Sequence, residues 1–165
     1  MSAEPEELLE AKIVALLSAA APSVDVLGAL APVPEGEQKK SPDTYISVFV
    51  DLASQDLDWQ GPGVPCAWSL RVTVHYAFAD DATGAGFRDI CRAVRSALTP
   101  LLGDGCAALS GDGFECDAFT LESTATALDR DSEAGGMAKT YTAALNGRFT
   151  PQTEQPEEQE NEEDG

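Results

Sequence analysis

The stretch from Cys66 to Phe78 constrains the fold more than any other part of the chain. Every second residue in it is apolar or aromatic, and the residues between are small, polar or charged. Side chains on a strand point alternately to opposite faces, so this pattern predicts one long strand with a single buried face. The apolar positions are Cys66, Trp68, Leu70, Val72, Val74, Tyr76 and Phe78.

The length of this strand has a consequence for assembly. Its thirteen residues span about 43 Å at about 3.3 Å per residue. A compact domain of 165 residues has a diameter of roughly 37 Å. Unless a bulge bends it, we expect the strand to extend beyond its own domain and a partner subunit to cover its far end.

The charge is strongly acidic. The chain has 29 acidic and 10 basic residues, a formal net charge of −19. The last fifteen residues, 151–165, hold seven of the acids and no Lys or Arg, which leaves 22 acids against 10 bases in residues 1–150. Because non-specific DNA affinity comes from Lys and Arg that displace counterions, we expect no tight nucleic-acid binding.

The cysteines and the single histidine argue against a metal site. Cys66, Cys91, Cys106 and Cys116 form no Cys-x-x-Cys pair, and His75 is the only imidazole. A structural zinc site needs four Cys or His ligands with local pairs. We also find no signal-peptide pattern and no apolar run of membrane-spanning length. These features predict a cytoplasmic protein with reduced thiols, no cofactor and no membrane contact.

The remaining periodicities predict an α+β fold. They indicate a two-layer sandwich, with two amphipathic helices on one face of an antiparallel or mixed sheet of about four main strands. Residues 1–150 form a single domain in this interpretation, and 151–165 form a disordered acidic tail. The predicted elements are a helix to Ala20, a strand over Tyr45–Leu52, the long strand, a helix ending near Leu98, and a hairpin of Phe119–Ala127 with Lys139–Phe149; the apolar run Val24–Leu30 fits either a strand or a helical turn.

A polar connection, Ala53–Pro65, separates the first two of these strands. It carries Asp56, Asp58 and Trp59, and it is long for a hairpin connection. Trp59 has two interpretations. It folds back onto the sheet, or it is an exposed aromatic anchor of an interface, where Trp is enriched.

Three arginines share one stripe of the second helix. Arg88, Arg92 and Arg95 recur at the spacing of a single helical face. They either form ion pairs within the chain or meet an acidic strip on a neighbouring copy, which would set the register of an assembly.

No catalytic constellation accompanies these elements. His75 falls on the polar side of the long strand, where a lone histidine is usually only a polar residue. The chain has no Gly-x-Ser-x-Gly elbow, no phosphate-binding loop and no dinucleotide-binding turn after a strand. The sequence therefore predicts that the protein is not an enzyme and has no catalytic, cofactor or metal residues.

The order of elements resembles the tail-terminator (tail-completion) proteins of long-tailed bacteriophages. The resemblance is carried by Tyr45–Asp51, by Trp68–Phe78 followed by Phe87–Leu98, and by Thr140–Leu145. It implies a small α+β subunit that forms a hexameric ring, caps the tail tube and offers a surface to the head–tail connector. It also implies that the loops Asp51–Pro65 and Asp129–Met137 contact the tube or a neighbour.

These inferences define the expected partners and location. We expect copies of the chain itself, the tail tube protein and the head–tail connector as partners, with DNA passing through an acidic lumen without adhering. The protein would assemble in the host cytoplasm and reside in the virion tail. Trp59, Asp56, Asp58, Arg88, Arg92 and Arg95 are the candidate interface residues. The alternatives are a neck connector, or an acidic monomeric binding module or chaperone for a basic partner.

Overall fold

The computed structural model describes residues 4–30, 44–78, 85–111, 113–129 and 135–150. The predicted tail 151–165 and part of the predicted loop Asp129–Met137 lie outside these residues. The helices and strands, in chain order, are α1 Pro5–Ala20, β1 Asp25–Gly28, β2 Tyr45–Gln55, β3 Val64–Ala77, α2 Ala85–Leu98, β4 Phe114–Asp129 and β5 Gly136–Phe149.

The strands form one mixed sheet in the order β1-β2-β3-β5-β4. β1 runs parallel to β2, and the other neighbouring strands are antiparallel. The predicted α+β class is confirmed, with five strands instead of about four. The fifth is β1, which settles the ambiguous run Val24–Leu30 as a strand.

β3 is the centre of the sheet and is unbroken. It pairs with β2 on one side and with β5 on the other, from Val64 opposite Phe149 to Ala77 opposite Gly136. Its predicted apolar face is buried from Cys66 to Tyr76, and Tyr76 meets Phe87 of α2 edge to face at 5.6 Å between ring centroids.

The expectation that a partner must cover the far end of this strand is therefore wrong. The chain's own helices cover Val74 and Tyr76, which are 0% and 5% exposed. The far end is covered because α2 follows β3 in the chain and packs back over it, where Phe87 meets Tyr76.

Each of the two long helices buries one apolar stripe. α1 buries Leu9, Ile13 and Leu17, and its first turn is closed by the Glu4 N–H, which donates to Glu7 Oε1 at 3.4 Å. α2 buries Phe87, Cys91, Val94 and Leu98. Tyr141 of β5 ties the layers together, because its hydroxyl donates to the Cys91 carbonyl at 3.3 Å.

The Gly-rich segment after α2 contributes to the core. It forms two short 3₁₀ helices, Thr99–Leu101 and Asp104–Leu109, which bury Leu101, Cys106 and Leu109. Gly103 has a φ of 66°, a conformation that glycine adopts without the steric cost of a Cβ. This segment lies against the first half of β4.

Two boundaries differ from the sequence prediction. β2 continues to Gln55 past a bulge between Leu52 and Ser54, so the connection to β3 is shorter than Ala53–Pro65. β4 is longer than predicted and has a bulge between Leu121 and Ser123. Beyond Leu121 both faces of β4 are exposed, so the small residues that we expected on the buried side, Ser123, Ala125 and Ala127, are exposed instead.

We expect Gly147→Ala to destabilise the fold. A Cβ at Gly147 would overlap the Glu115 carbonyl oxygen and lie 2.9 Å from Cζ3 of the buried Trp68. Overpacking of this kind costs about 1–3 kcal/mol. The exposed neighbour Asn146 is the control, and Asn146→Ala should change the free energy of unfolding by less than about 0.5 kcal/mol in urea denaturation. Equal midpoints for both variants would contradict the packing described.

Candidate assembly surfaces

Asp56 organises the loop between β2 and β3. Its N–H donates to the Pro65 carbonyl at 3.0 Å, and its own carbonyl accepts the Trp59 N–H at 3.3 Å. Its carboxylate Oδ1 accepts the Asp58 N–H at 3.1 Å. This is the turn chemistry that Asp favours, in which the side chain replaces a backbone partner. The loop therefore has a defined conformation although it is exposed.

Trp59 lies against its own loop and stays half exposed. Its indole Nε1–H donates to the Pro62 carbonyl at 3.3 Å. Gly61 leaves room for the ring, since a Cβ there would be 3.2 Å from Nε1. Trp59 is 46% exposed and Leu57 is 80% exposed. The loop thus presents two large apolar side chains to solvent, and the role of Trp59 at an interface stays a prediction.

The arginine stripe lies on the solvent side of α2. Arg88, Arg92 and Arg95 are all exposed, because the buried residues of the helix occupy its other side. Arg92 Nη1 is 2.9 Å from Asp89 Oδ1, with both side chains 72% exposed. An exposed pair of this kind contributes little stability. Among the described residues, Arg88 and Arg95 have no ion pair within 4.0 Å.

The structure does not bring these two sets of residues together. The loop with Asp56, Asp58 and Trp59 follows Gln55, at the end of the sheet where β3 begins. The stripe begins on the first turn of α2, near the opposite end, where Phe87 meets Tyr76. The candidate residues therefore form two surfaces, which we call the tryptophan loop (residues 56–63) and the arginine stripe (Arg88, Arg92 and Arg95).

A charged cluster beside the tryptophan loop was not predicted. Arg148 of β5 pairs with Glu115 at 3.0 Å and with Asp117 at 3.5 Å. Arg148 and Glu115, together with Pro62 and Gly63, border a cleft of about 330 Å³. Glu115 and Arg148 lie directly opposite each other on neighbouring strands. The sequence shows their opposite charges, but only the folded sheet sets the register that pairs them.

His75 is less exposed than its lone polar position suggested. Its ring stacks on Tyr45 with 4.3 Å between centroids, and its Nε2 is 3.1 Å from Ser47 Oγ. Burial lowers the pKa of His75. It lies on the sheet face turned away from the helices, where Arg71 also covers the Phe49 ring at 5.6 Å.

The thiols are buried and protonated at neutral pH. Burial raises the pKa of Cys66 and of Cys116 to about 12, and it also raises the pKa of Cys91 and Cys106. In the described ranges, no group of three or more His, Cys, Asp or Glu side chains could hold a metal ion. No helix of the described part is long and apolar enough to cross a membrane.

Comparison with known proteins yields similarity of fold. No protein-family model and no curated protein matches the chain. A solved protein whose description gives no function is 13% identical, with a TM-score of 0.50, over 88% of this chain and 94% of its own. A chain in the virion of a native gene transfer agent particle is 18% identical, with a TM-score of 0.45, over 81% of this chain and 85% of its own.

We expect His75 to make the stability of the protein depend on pH. Since its pKa is lower in the folded state than the usual 6.5, the unfolded chain binds more protons as the pH falls through 6.5. The free energy of unfolding therefore falls from about pH 7.5 to about pH 5.5. Urea denaturation at both values should show a smaller fall for His75→Asn than for the unmodified protein; an equal fall in both would contradict the burial of the ring.

Proposed function

We propose that the protein is a structural subunit of a phage-type tail. In this proposal several copies, six by the resemblance, form a ring that caps the tail tube and presents a surface to the head–tail connector. The subunits assemble in the host cytoplasm and remain in the virion tail.

The order and pairing of the elements support the proposal. The resemblance drawn from the sequence required a helix, a strand, a wide loop, a very long strand running into a helix and a closing strand pair. The chain has α1, β2, the tryptophan loop, β3, α2 and the β4–β5 hairpin in that order. This agreement concerns the fold, and folds host many functions.

The observation that carries the proposal is the separation of two exposed surfaces of different chemistry. A ring that caps a tube needs a surface for its neighbours and a separate surface for the tube. Because a head-to-tail contact joins different patches of the two copies, the stripe would meet an acidic strip of the neighbour. The arginine stripe is cationic and lies on the helical layer. The tryptophan loop is apolar at its exposed tip and lies at one end of the sheet.

The charge of the chain suggests which surface contacts a neighbouring copy and which contacts the tube. A formal net charge of −19 makes copies of the chain repel one another in general, and a cationic stripe can reverse this locally. We therefore assign the arginine stripe to the contact between neighbours. The exposed Leu57 and Trp59 fit a contact with the tube, where a buried aromatic provides binding free energy.

Charge reversal in the stripe should weaken self-association. Arg88→Glu with Arg92→Glu replaces attraction by repulsion and should weaken assembly at least about tenfold. Arg88 is on the first turn of α2, where a carboxylate is favourable, so the helix should remain folded. Arg88→Glu alone changes the net charge by the same two units as Lys12→Glu in α1, so the comparison of these two single variants is the charge-matched control. Light scattering over a range of concentration and salt measures the effect; a monomer at every concentration, or no change in the variant, would contradict the assignment.

Removal of the exposed indole should weaken tube binding. Trp59→Ala should cost about 2 kcal/mol of binding free energy in co-sedimentation with assembled tail tubes. The control is Leu102→Ala, since Leu102 is equally exposed at 44% but lies outside the loop. Unchanged binding of Trp59→Ala would exclude the loop as the tube contact. Binding to a basic protein instead of tubes, lost on removal of 151–165, would favour the acidic binding module.

A further inference from the structure

The edges of the sheet are closed in different ways. One edge is β1, which has only four residues, and very short edge strands offer little to a partner. β2 extends beyond β1, but side chains bond its backbone there. Glu10 Oε1 accepts the Val50 N–H at 3.4 Å, and Asp51 Oδ1 accepts the Leu52 N–H at 3.0 Å.

The first half of β4, the other edge strand, is covered by the chain itself. Gly103 and Phe119 exchange two backbone hydrogen bonds, each of 3.0 Å. Ser110 Oγ accepts the Cys116 N–H at 2.9 Å. These bonds cover the edge of the first half of β4 as far as Phe119.

The second half of β4 has no such cover. From Glu122 to Leu128 every residue is exposed, and Leu128 is 52% exposed. Beyond the bulge the pairing with β5 is regular, one residue opposite one. Among the described residues, no backbone hydrogen bond joins this run to anything other than β5. Charged residues and prolines protect exposed sheet edges in soluble proteins. Ser123–Leu128 contains neither.

We propose that this run, Glu122–Leu128, pairs antiparallel with the same run of a second copy and joins the two sheets edge to edge. Such a pair satisfies the free N–H and C=O groups of both strands. The contact goes beyond the tail function proposed above. It relates two copies by a two-fold axis, whereas a ring closes through a head-to-tail contact.

The second copy is the occupant because it brings the same open edge. Elsewhere on the edges of the described sheet, Glu10 and Asp51 bond backbone N–H groups of β2. Gly103 bonds the backbone of β4 at Phe119. If all seven residues of the run pair with the seven of the second copy, Ala125, the middle residue, lies on the two-fold axis. Thr124 then faces Thr126, Ser123 faces Ala127 and Glu122 faces Leu128, so no acid opposes an acid. Cross-strand Thr pairs are favourable, whereas like charges directly opposite are destabilising.

Disulfide trapping tests the register directly. Opposed residues of an antiparallel pair have Cα atoms about 4.5–5.5 Å apart, which is within the range that a disulfide spans. We expect Ala125→Cys, or Thr126→Cys if the axis is shifted by one residue, to give a dimer on mild oxidation. The native cysteines are buried and contribute no background. Thr120→Cys, on the covered half of β4, is the control, because its counterpart would be about 33 Å away.

A second pair of variants tests the contact without new thiols. In the Arg88→Glu, Arg92→Glu background, which removes the stripe contact, Thr124→Lys with Thr126→Lys places like charges opposite each other. It should lower the mass in light scattering from that of a dimer to that of a monomer, with the circular dichroism unchanged. Thr120→Lys should leave the dimer intact. These measurements need no tail tubes, so a failure of the tail function does not affect them. A dimer in neither cysteine variant, or equal crosslinking of Thr120→Cys, would overturn the proposal.

Discussion

The pairing of β3 on both sides is the interaction on which the rest of the structure depends. β2 and β5 bond to it along its length, and its alternate residues form the buried face on which α1 and α2 pack. A mutation on this face affects both the sheet and the helices, because Trp68, Leu70, Val72 and Val74 are all at most 1% exposed. Gly147 is part of the same constraint, since its missing side chain makes room for the Trp68 ring.

The helical layer covers the sheet unevenly, and this unevenness decides which surfaces are free. α1, α2 and the 3₁₀ segment together cover β2, β3 and the first half of β4. The second half of β4 extends past them. The exposed surfaces with a distinct chemistry include the tryptophan loop, the arginine stripe and the open run of β4. In a chain this acidic, an uncharged edge and a cationic stripe are the places where copies can approach without repulsion.

Much of the fold was predictable from the sequence, and parts of the candidate site were not. The alternation in Cys66–Phe78 and in Lys139–Phe149 predicted β3 and β5, since burial on one face leaves a period of two. The same rule failed in β4 beyond Leu121, because both faces of that half are exposed and no buried face is present. The exposure of Trp59 stayed open in the sequence, because it depends on whether another element packs over its loop. The pair of Arg92 with Asp89 is local to α2, and the sequence allowed it beside a pair with a neighbouring copy.

The sequence by itself determined the class of fold, the central strand and the helix faces, because these follow from periodic patterns that are local to each element. Only the tertiary structure decided that β3 is covered by its own chain and that β4 is left open. Both outcomes depend on where separate elements pack: the Gly103–Leu109 segment reaches Phe119 and stops there. Whether one segment covers another depends on packing between distant parts of the chain, which a local sequence pattern does not predict.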